Sequence, residues 1–131
     1  MIHVQVDGAT RGNPGMSGAG IVIKHHNRVA EYSIPLGVHT NHEAEFLAVI
    51  RALQICHEHY PNQMIALQTD SKLVVDAIDK QYVKNKLFRP LLHVVIKEKE
   101  RFPLFFIKWI PSSQNKHADR LARRAIDKQR T

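Results

Sequence analysis

The fold of this chain is constrained most by its hydrophobic pattern, which begins as that of consecutive β-strands and then changes to that of alternating helices and strands. The first 34 residues predict three short strands, Ile2–Val6, Gly18–Lys24 and Val29–Ile34, which are separated by turn-forming residues. Strands spaced this closely pair as an antiparallel meander. After residue 40 the pattern changes to alternating helices and strands, as in βα units. The sequence therefore predicts an α/β protein with a mixed sheet and helices packed on it.

The later elements follow from the spacing of their apolar residues. A helix of roughly four turns begins at Thr40 or Asn41, either of which is a good N-cap. Strands are predicted at Met64–Gln68 and at Leu104–Ile110, and the dense apolar run of the second, including Trp109, predicts a buried position. Three further helical patterns cover Leu73–Ile78, Leu91–Arg101 and Ala118–Ile126.

Size and composition bound the organisation of the protein. A length of 131 residues with 44% hydrophobic residues suits a single domain over residues 1–131 that buries a core without disulfides. The one cysteine, Cys56, follows the apolar stripe of the first helix and is expected to be a core residue. No apolar run has the length of a membrane span and the N-terminus has no signal-peptide pattern, so we expect a cytoplasmic protein. We expect a monomer, because no apolar stripe is left over.

The balance of charge favours an acidic polymer as partner. The formal net charge is +7 and the sequence pI is about 9.8. Lysine and arginine that neutralise phosphates release counterions, which drives binding to nucleic acid. Basic small proteins are common, however, so the positions of the acidic residues are more informative than the net charge.

Four acidic residues stand at the predicted ends of elements. Asp7 and Asp70 each follow a predicted strand, Glu45 lies in the first turn of the first helix, and Asp119 lies in the first turn of the last helix, near a cap at Asn115. Sites in α/β sheets are built at such ends. Taken singly, each acid has an ordinary explanation as a turn former or as a complement to a helix dipole.

Carboxylates that converge repel one another unless cations neutralise them. Oxygen ligands of this kind suit Mg²⁺ or Mn²⁺, and two such ions can activate water and stabilise the leaving oxygen of a phosphodiester. The sequence has no His/Cys set with the spacing of a zinc site. If the four acids meet, they therefore predict a metal-dependent phosphodiesterase.

The context of the four acids matches a known family. Each acid belongs to a motif, and the motifs occur in this order: Asp7-Gly8-Ala9 with Gly12-Asn13-Pro14-Gly15, Thr40-Asn41-His42-Glu43-Ala44-Glu45, Thr69-Asp70-Ser71, and Asn115-Lys116-His117-Ala118-Asp119-Arg120-Leu121-Ala122. In this order they resemble the type 1 ribonuclease H family, and the resemblance spans essentially the whole chain.

The resemblance implies a ribonuclease H-like fold, a five-stranded mixed sheet in the order 3-2-1-4-5 with helices on both faces. It implies endonucleolytic hydrolysis of the RNA strand of RNA–DNA hybrids, which leaves a 5′-phosphate and a 3′-hydroxyl. It also makes the four acids catalytic ligands of two Mg²⁺ or Mn²⁺ ions. Asp7 would contact both ions and Asp119 the ion that activates water, whereas Glu45 and Asp70 would hold the ion beside the leaving 3′ oxygen.

The resemblance also implies residues that contact the hybrid. Family members read its shape, through 2′-hydroxyls of the RNA strand in the minor groove and through a phosphate pocket for the DNA strand. Asn13, Thr40 and Asn41 match that pattern and are predicted to bind substrate. Each also has a local role, as a turn residue before Pro14 or as a helix cap, and the two roles are compatible.

One histidine is a candidate for proton transfer. His117 stands two residues before Asp119 and is a candidate proton shuttle, or an aid to metal departure. Bacterial family members carry a mobile histidine on a longer loop, for which Pro111–Lys116 is too short. A solvent-facing histidine at a helix start is the commoner arrangement.

Two basic regions leave alternatives open. Gln81–Pro90 offers only Lys84, Lys86 and Arg89 where many bacterial members have a basic insertion. A weaker grip on the hybrid would give a catalytically weak or inactive module that binds nucleic acid, and the fold also serves nucleases with other targets. The last helix is either a phosphate-facing patch or, as we expect, a solvated face, and its basic residues are Arg120, Arg123, Arg124, Lys128 and Arg130.

Overall fold

The computed structural model describes residues 1–129, so Arg130 lies outside the described residues. One sheet contains five strands, β1 Ile2–Gly12, β2 Gly15–His25, β3 Arg28–His39, β4 Ile65–Thr69 and β5 Phe105–Trp109. Its order is β3-β2-β1-β4-β5. The β1–β2 and β2–β3 pairs are antiparallel, and the β1–β4 and β4–β5 pairs are parallel. The predicted mixed sheet and its order are confirmed.

Four helices flank the sheet. They are α1 Asn41–His59, α2 Lys72–Lys80, α3 Arg89–Lys99 and α4 Lys116–Asp127. Single 3-10 turns at Lys86–Phe88 and Ser112–Gln114 precede α3 and α4. All four helical patterns of the sequence thus correspond to helices.

None of the helices within residues 1–129 combines the length and the apolar character that a membrane span requires.

The first strand is longer than predicted. β1 does not end at Val6 but continues through Asp7 and pairs with β2 as far as Gly12↔Gly15, so the hairpin closes at Asn13–Pro14. The glycines of this segment predict a loop, but β2 supplies backbone partners as far as Gly12, whose φ is +91°, and this long-range pairing overrides local propensity. Asp7 therefore lies inside β1, one residue beyond the point where the parallel pairing with β4 stops at Val6↔Thr69.

The two faces of β1 point to different helices. Ile2, Val4 and Val6 belong to the main core with residues of α1, among them the fully buried Phe46 and Leu53. Side chains alternate along a strand, so Asp7 lies on the opposite face, which α4 covers. The fold thus separates an apolar face under α1 from a face that carries a carboxylate.

α4 approaches the sheet closely because small residues line the contact. Ala118 and Ala122 of α4 are fully buried, and a side-chain carbon on Gly20 of β2 would overlap the carbonyl oxygen of Ala118. Gly20 is the partner of Asp7 in the β1–β2 pairing. The glycine therefore lets the helix that carries Asp119 lie directly over the strand position of Asp7.

Both edge strands differ from the sequence prediction. β3 extends to His39, past Pro35, a residue that edge strands tolerate. β5 is the other edge, and Phe106 and Trp109 are 51% and 42% exposed. The predictions that this strand is buried and that Trp109 is a core residue are wrong, because an apolar run does not reveal which strand is outermost.

We expect Gly20→Ala to destabilise the protein by about 1–3 kcal/mol, since the added methyl group would force α4 away from β2. The measurement is urea unfolding followed by circular dichroism. An unchanged unfolding midpoint would show that α4 does not need this close approach.

Candidate active site

One open cleft brings the four predicted acids together. Its volume is about 380 Å³, and it lies where the β1–β4 pairing ends, between the first turns of α1 and α4. The residues that line it are Asp7, Gly8, Ala9, Thr10, Asn41, His42, Glu45, Asp70, Asp119 and Arg123. The acids are distant in sequence, so only the fold places them in one cleft.

Asp7 is the most deeply placed of the four acids. Only 7% of the residue is exposed, and its carboxyl group lies beside those of Asp119 and Asp70. Burial, reinforced by the negative charge of Asp70 and by the neighbouring Asp119 side chain, raises the pKa of Asp7 from 3.8 to about 9. The site thus strongly favours a proton or another cation at Asp7.

The turn after β4 fixes Asp70. Ser71 is the N-cap of α2 and its hydroxyl accepts a hydrogen bond from the Val74 N–H at 3.3 Å, while the Ser71 N–H donates to the Thr69 hydroxyl at 3.2 Å. The indole N–H of Trp109 donates to the carbonyl oxygen of Asp70 at 3.2 Å. The Thr69-Asp70-Ser71 motif therefore holds the backbone on both sides of the acid.

Glu45 reaches the cleft because α1 begins close to β1. A side-chain carbon on Gly8 would overlap the carbonyl oxygen of Ala44, so only glycine permits this approach. Glu45 Oε1 lies 2.8 Å from Nδ1 of His42, whose ring packs edge-on against Phe88 with 5.8 Å between the ring centroids. Glu45 is thus held at the rim by a neighbour from its own helix.

Asn115 joins the start of α4 to β1. Only 1% of the residue is exposed, and its side-chain amide donates to the carbonyl oxygen of Val6 at 2.8 Å. The backbone N–H of Asp119 donates to the carbonyl oxygen of Asn115 at 3.1 Å. Asn115 is the N-cap of α4, as predicted, but its side chain makes no capping hydrogen bond and bonds instead to Val6, the residue that precedes Asp7.

The predicted substrate residues lie on one side of the cleft, and only one of them lines it. Asn41 lines the cleft, its N–H donates to Asn13 Oδ1 at 3.0 Å, and its side chain accepts a hydrogen bond from the Thr10 hydroxyl. Thr40 caps α1 in a reciprocal arrangement with Glu43. Asn13 and Asn41 are therefore tied together, which joins the β1–β2 turn to the start of α1.

His117 lies outside the cleft. Its Nε2 is 2.8 Å from a carboxylate oxygen of Glu31 on β3, and this hydrogen bond lowers the pKa of Glu31. The expected position near the helix start is confirmed. A role in proton transfer stays a prediction, and the pairing with Glu31 does not support it.

The donor set fits a hard divalent cation. Within residues 1–129 no three His, Cys, Asp or Glu side chains are grouped as a ready ligand set, and Glu45 pairs with His42 while Asp119 pairs with Arg123. The four acids nevertheless offer carboxylate oxygens to one cleft, as Mg²⁺ and Mn²⁺ prefer. The negative charge of Asp70 beside Asp7, which is one cause of the raised pKa of Asp7, adds to the attraction for a cation.

Sequence reasoning did not place three residues in the cleft, Thr10, His42 and Arg123, although Arg123 was named among the basic residues of the last helix. His42 and Arg123 stand three residues before Glu45 and four after Asp119, so helical spacing alone could have indicated both contacts. Thr10 carried no signal, because that part of the chain was predicted as a turn and not as a strand.

Comparison with known sequences identifies relatives over nearly the whole chain. A family model described as "Reverse transcriptase-like" matches residues 5–125. The chain is 45% identical over 129 residues to the putative hydrolase EbsB of Enterococcus faecalis, and the match covers 98% of this chain and 96% of that protein. It is 32% identical over 131 residues to ribonuclease HI of Halobacterium salinarum, and that match covers 96% of this chain but 64% of the relative.

Comparison with solved structures gives the same picture. The crystal structure of RNase H1 from Halobacterium salinarum superposes with a TM-score of 0.90 at 32% identity, covering 97% of this chain and 98% of the other. LC11-RNase H1 in complex with an RNA/DNA hybrid also gives a TM-score of 0.90 at 32% identity, with 98% of each chain covered.

We expect Asp7→Asn to stabilise the protein in the presence of a chelator, increasingly so from about pH 5 to about pH 8. The unfolded chain loses the Asp7 proton near pH 3.8, whereas the folded protein keeps it up to about pH 9, so rising pH favours unfolding of the wild type across this range. Asparagine removes that dependence because it does not ionise.

The measurement is thermal unfolding at several pH values, and we expect a gain of a few degrees at the upper end. Asp76→Asn on the exposed side of α2 is the control for loss of a negative charge. A gain that shrinks with rising pH would contradict the raised pKa of Asp7.

We expect Asn115→Ala to lower the free energy of unfolding by about 1–3 kcal/mol, since the buried Val6 carbonyl would lose its partner. Urea unfolding measures the change. Gln114→Ala, at the exposed neighbouring position, is the control and should cost no more than about 0.5 kcal/mol. Equal effects of the two substitutions would rule out a special role for the Asn115 side chain.

Proposed function

The chain belongs to the reverse transcriptase-like family that includes the ribonucleases H, and we propose that it is a metal-dependent endoribonuclease that hydrolyses the RNA strand of RNA–DNA hybrids. The observation that carries this proposal is the convergence of Asp7, Glu45, Asp70 and Asp119 on one cleft of a fold shared with RNase H1. The expected products are a 5′-phosphate and a 3′-hydroxyl.

The four acids would hold two Mg²⁺ or Mn²⁺ ions, which make water a stronger nucleophile and stabilise the leaving oxygen of a phosphodiester. Asp7 is the central ligand of this proposal, since it is the most buried of the four acids and lies beside both Asp70 and Asp119. The capped turn at Ser71 and the bond from Asn115 to Val6 fix the backbone beside these acids. Such preorganisation keeps the ligands aligned without a cost at the moment of reaction.

The surface beside the cleft supports a nucleic-acid hybrid as substrate. Thr10, Asn13 and Asn41 form a connected polar edge from the β1–β2 turn to α1, and short polar groups of this kind hydrogen-bond to sugar and phosphate. The fold matches that of LC11-RNase H1, which was solved with an RNA/DNA hybrid. We propose that Asn13, Thr40 and Asn41 contact the hybrid and that the net charge of +7 favours its approach.

The alternative is a module that binds nucleic acid and cuts it weakly. The guanidinium group of Arg89 donates to the carbonyl oxygens of Val83 and Lys84, both at 3.3 Å, so part of the sparse basic segment is engaged within the fold. This observation favours a reduced grip on the hybrid. Binding without turnover would support the alternative.

We expect the purified protein to cleave a hybrid labelled on its RNA strand when Mg²⁺ or Mn²⁺ is present, and Asp70→Asn to reduce kcat by about 10³-fold or more. A loss of that size corresponds to several kcal/mol of transition-state stabilisation, which is what removal of a metal ligand takes away. A denaturing gel with each metal in turn measures both rates.

Asp76→Asn is the matched control, because it makes the same chemical change on the exposed side of α2. Duplex RNA and duplex DNA, tested beside the hybrid, separate this activity from nucleases with other targets. Absence of cleavage with either metal, or full activity of Asp70→Asn, would contradict the proposal. Monomeric state and cytoplasmic location stay predictions.

A further inference from the structure

Arg123 differs from the other basic residues of α4 in its position. It is the only lysine or arginine among the described residues that line the acidic cleft. Its Nε donates to Oδ2 of Asp119 at 2.9 Å, and 69% of its side chain is exposed. An exposed ion pair between residues i and i+4 of a helix contributes little to stability. The ion pair therefore matters less for stability than for position, because it holds the guanidinium group of Arg123 at the acidic cleft.

The hydrogen-bonding capacity of Arg123 is mostly unused. Within residues 1–129 its guanidinium group makes no hydrogen bond besides that to Asp119, so the two terminal amino groups are available to a ligand. By contrast, Arg11 pairs with Asp127, Arg101 pairs with Glu98, and Arg89 binds backbone carbonyls. Arg123 is thus a cation anchored at one nitrogen with its remaining donors free at the rim of the cleft.

A phosphate is the ligand that these donors suit. A guanidinium group presents parallel N–H donors that match two oxygens of a phosphate, and anchoring it beforehand lowers the entropy lost on binding. The cleft itself is lined by four acids, which repel a polyanion unless cations are near. A cation at its rim meets that requirement.

We propose that Arg123 binds a backbone phosphate of the nucleic acid at the acidic cleft, with Asp119 orienting its guanidinium group. The proposal rests on the proposed function, which makes this phosphate one of the RNA strand near the cleavage position. It replaces, for Arg123 alone, the expectation that the basic residues of the last helix form a solvated face.

The test compares Arg123→Gln with Arg124→Gln, which removes the same charge from the neighbouring exposed position outside the cleft. A fluorescent RNA–DNA hybrid is titrated with each protein in CaCl₂ at several KCl concentrations, and binding is measured by anisotropy. CaCl₂ supplies a divalent ion whose ligand distances are longer and whose coordination is less strictly octahedral than those of Mg²⁺. A gel checks that the hybrid stays intact.

We expect Arg123→Gln to weaken hybrid binding by about tenfold, as for loss of a hydrogen bond to a charged group. The slope of log K against log salt should fall in magnitude by about 1, because one phosphate contact is lost. Arg124→Gln should keep the wild-type slope. An unchanged slope for Arg123→Gln, or equal changes in the two variants, would overturn the proposal.

A calorimetric titration with MnCl₂ alone excludes an indirect effect through Asp119. We expect Arg123→Gln to bind Mn²⁺ at least as tightly as the wild type, because a competing cation has been removed from the carboxylate. Weaker Mn²⁺ binding would mean that Arg123 only supports a metal ligand, and would overturn the phosphate contact. If the wild type fails to cleave hybrids, the proposed function fails, whereas the salt slopes still decide the role of Arg123.

Discussion

The electrostatic cost of holding carboxylates together, away from water, is the constraint on which this structure depends. Asp7 is 7% exposed and lies beside Asp70 and Asp119, and burial is the largest cause of its raised pKa. Folding brings these groups together because hydrophobic burial on the other face of β1, around Phe46 and Leu53, favours the sheet and α1. The protein thus uses the stability of its core to maintain a site that favours cations.

The close approach of α1 and α4 to the sheet brings the acids of the two helices to the acid of β1. Gly8 lets the first turn of α1 contact β1, and Gly20 lets α4 lie over the strand position of Asp7. Asn115 then links the start of α4 to the residue that precedes Asp7. Any larger residue at either glycine would move a carboxylate by part of an ångström or more, and ligand geometry does not tolerate such shifts well.

The sequence predicted what depends on periodicity and on motif order. The mixed sheet and the four helices followed from hydrophobic periodicity, because each element shows its buried face in its own stretch of sequence. The convergence of the acids followed from the order of the motifs. The extent of β1 and the exposure of Trp109 did not, because both depend on which strands become neighbours in the sheet. The hydrogen bond from Asn115 to Val6 joins residues 109 positions apart, and no local sequence pattern predicts it.

Diffraction from crystals soaked in MnCl₂ tests the central claim most directly, because the anomalous signal of manganese locates each ion without reference to activity. The account predicts ions in the cleft, within about 2.5 Å of carboxylate oxygens of Asp7, Glu45, Asp70 and Asp119. Manganese bound elsewhere, or a cleft without anomalous signal at saturating MnCl₂, would contradict it.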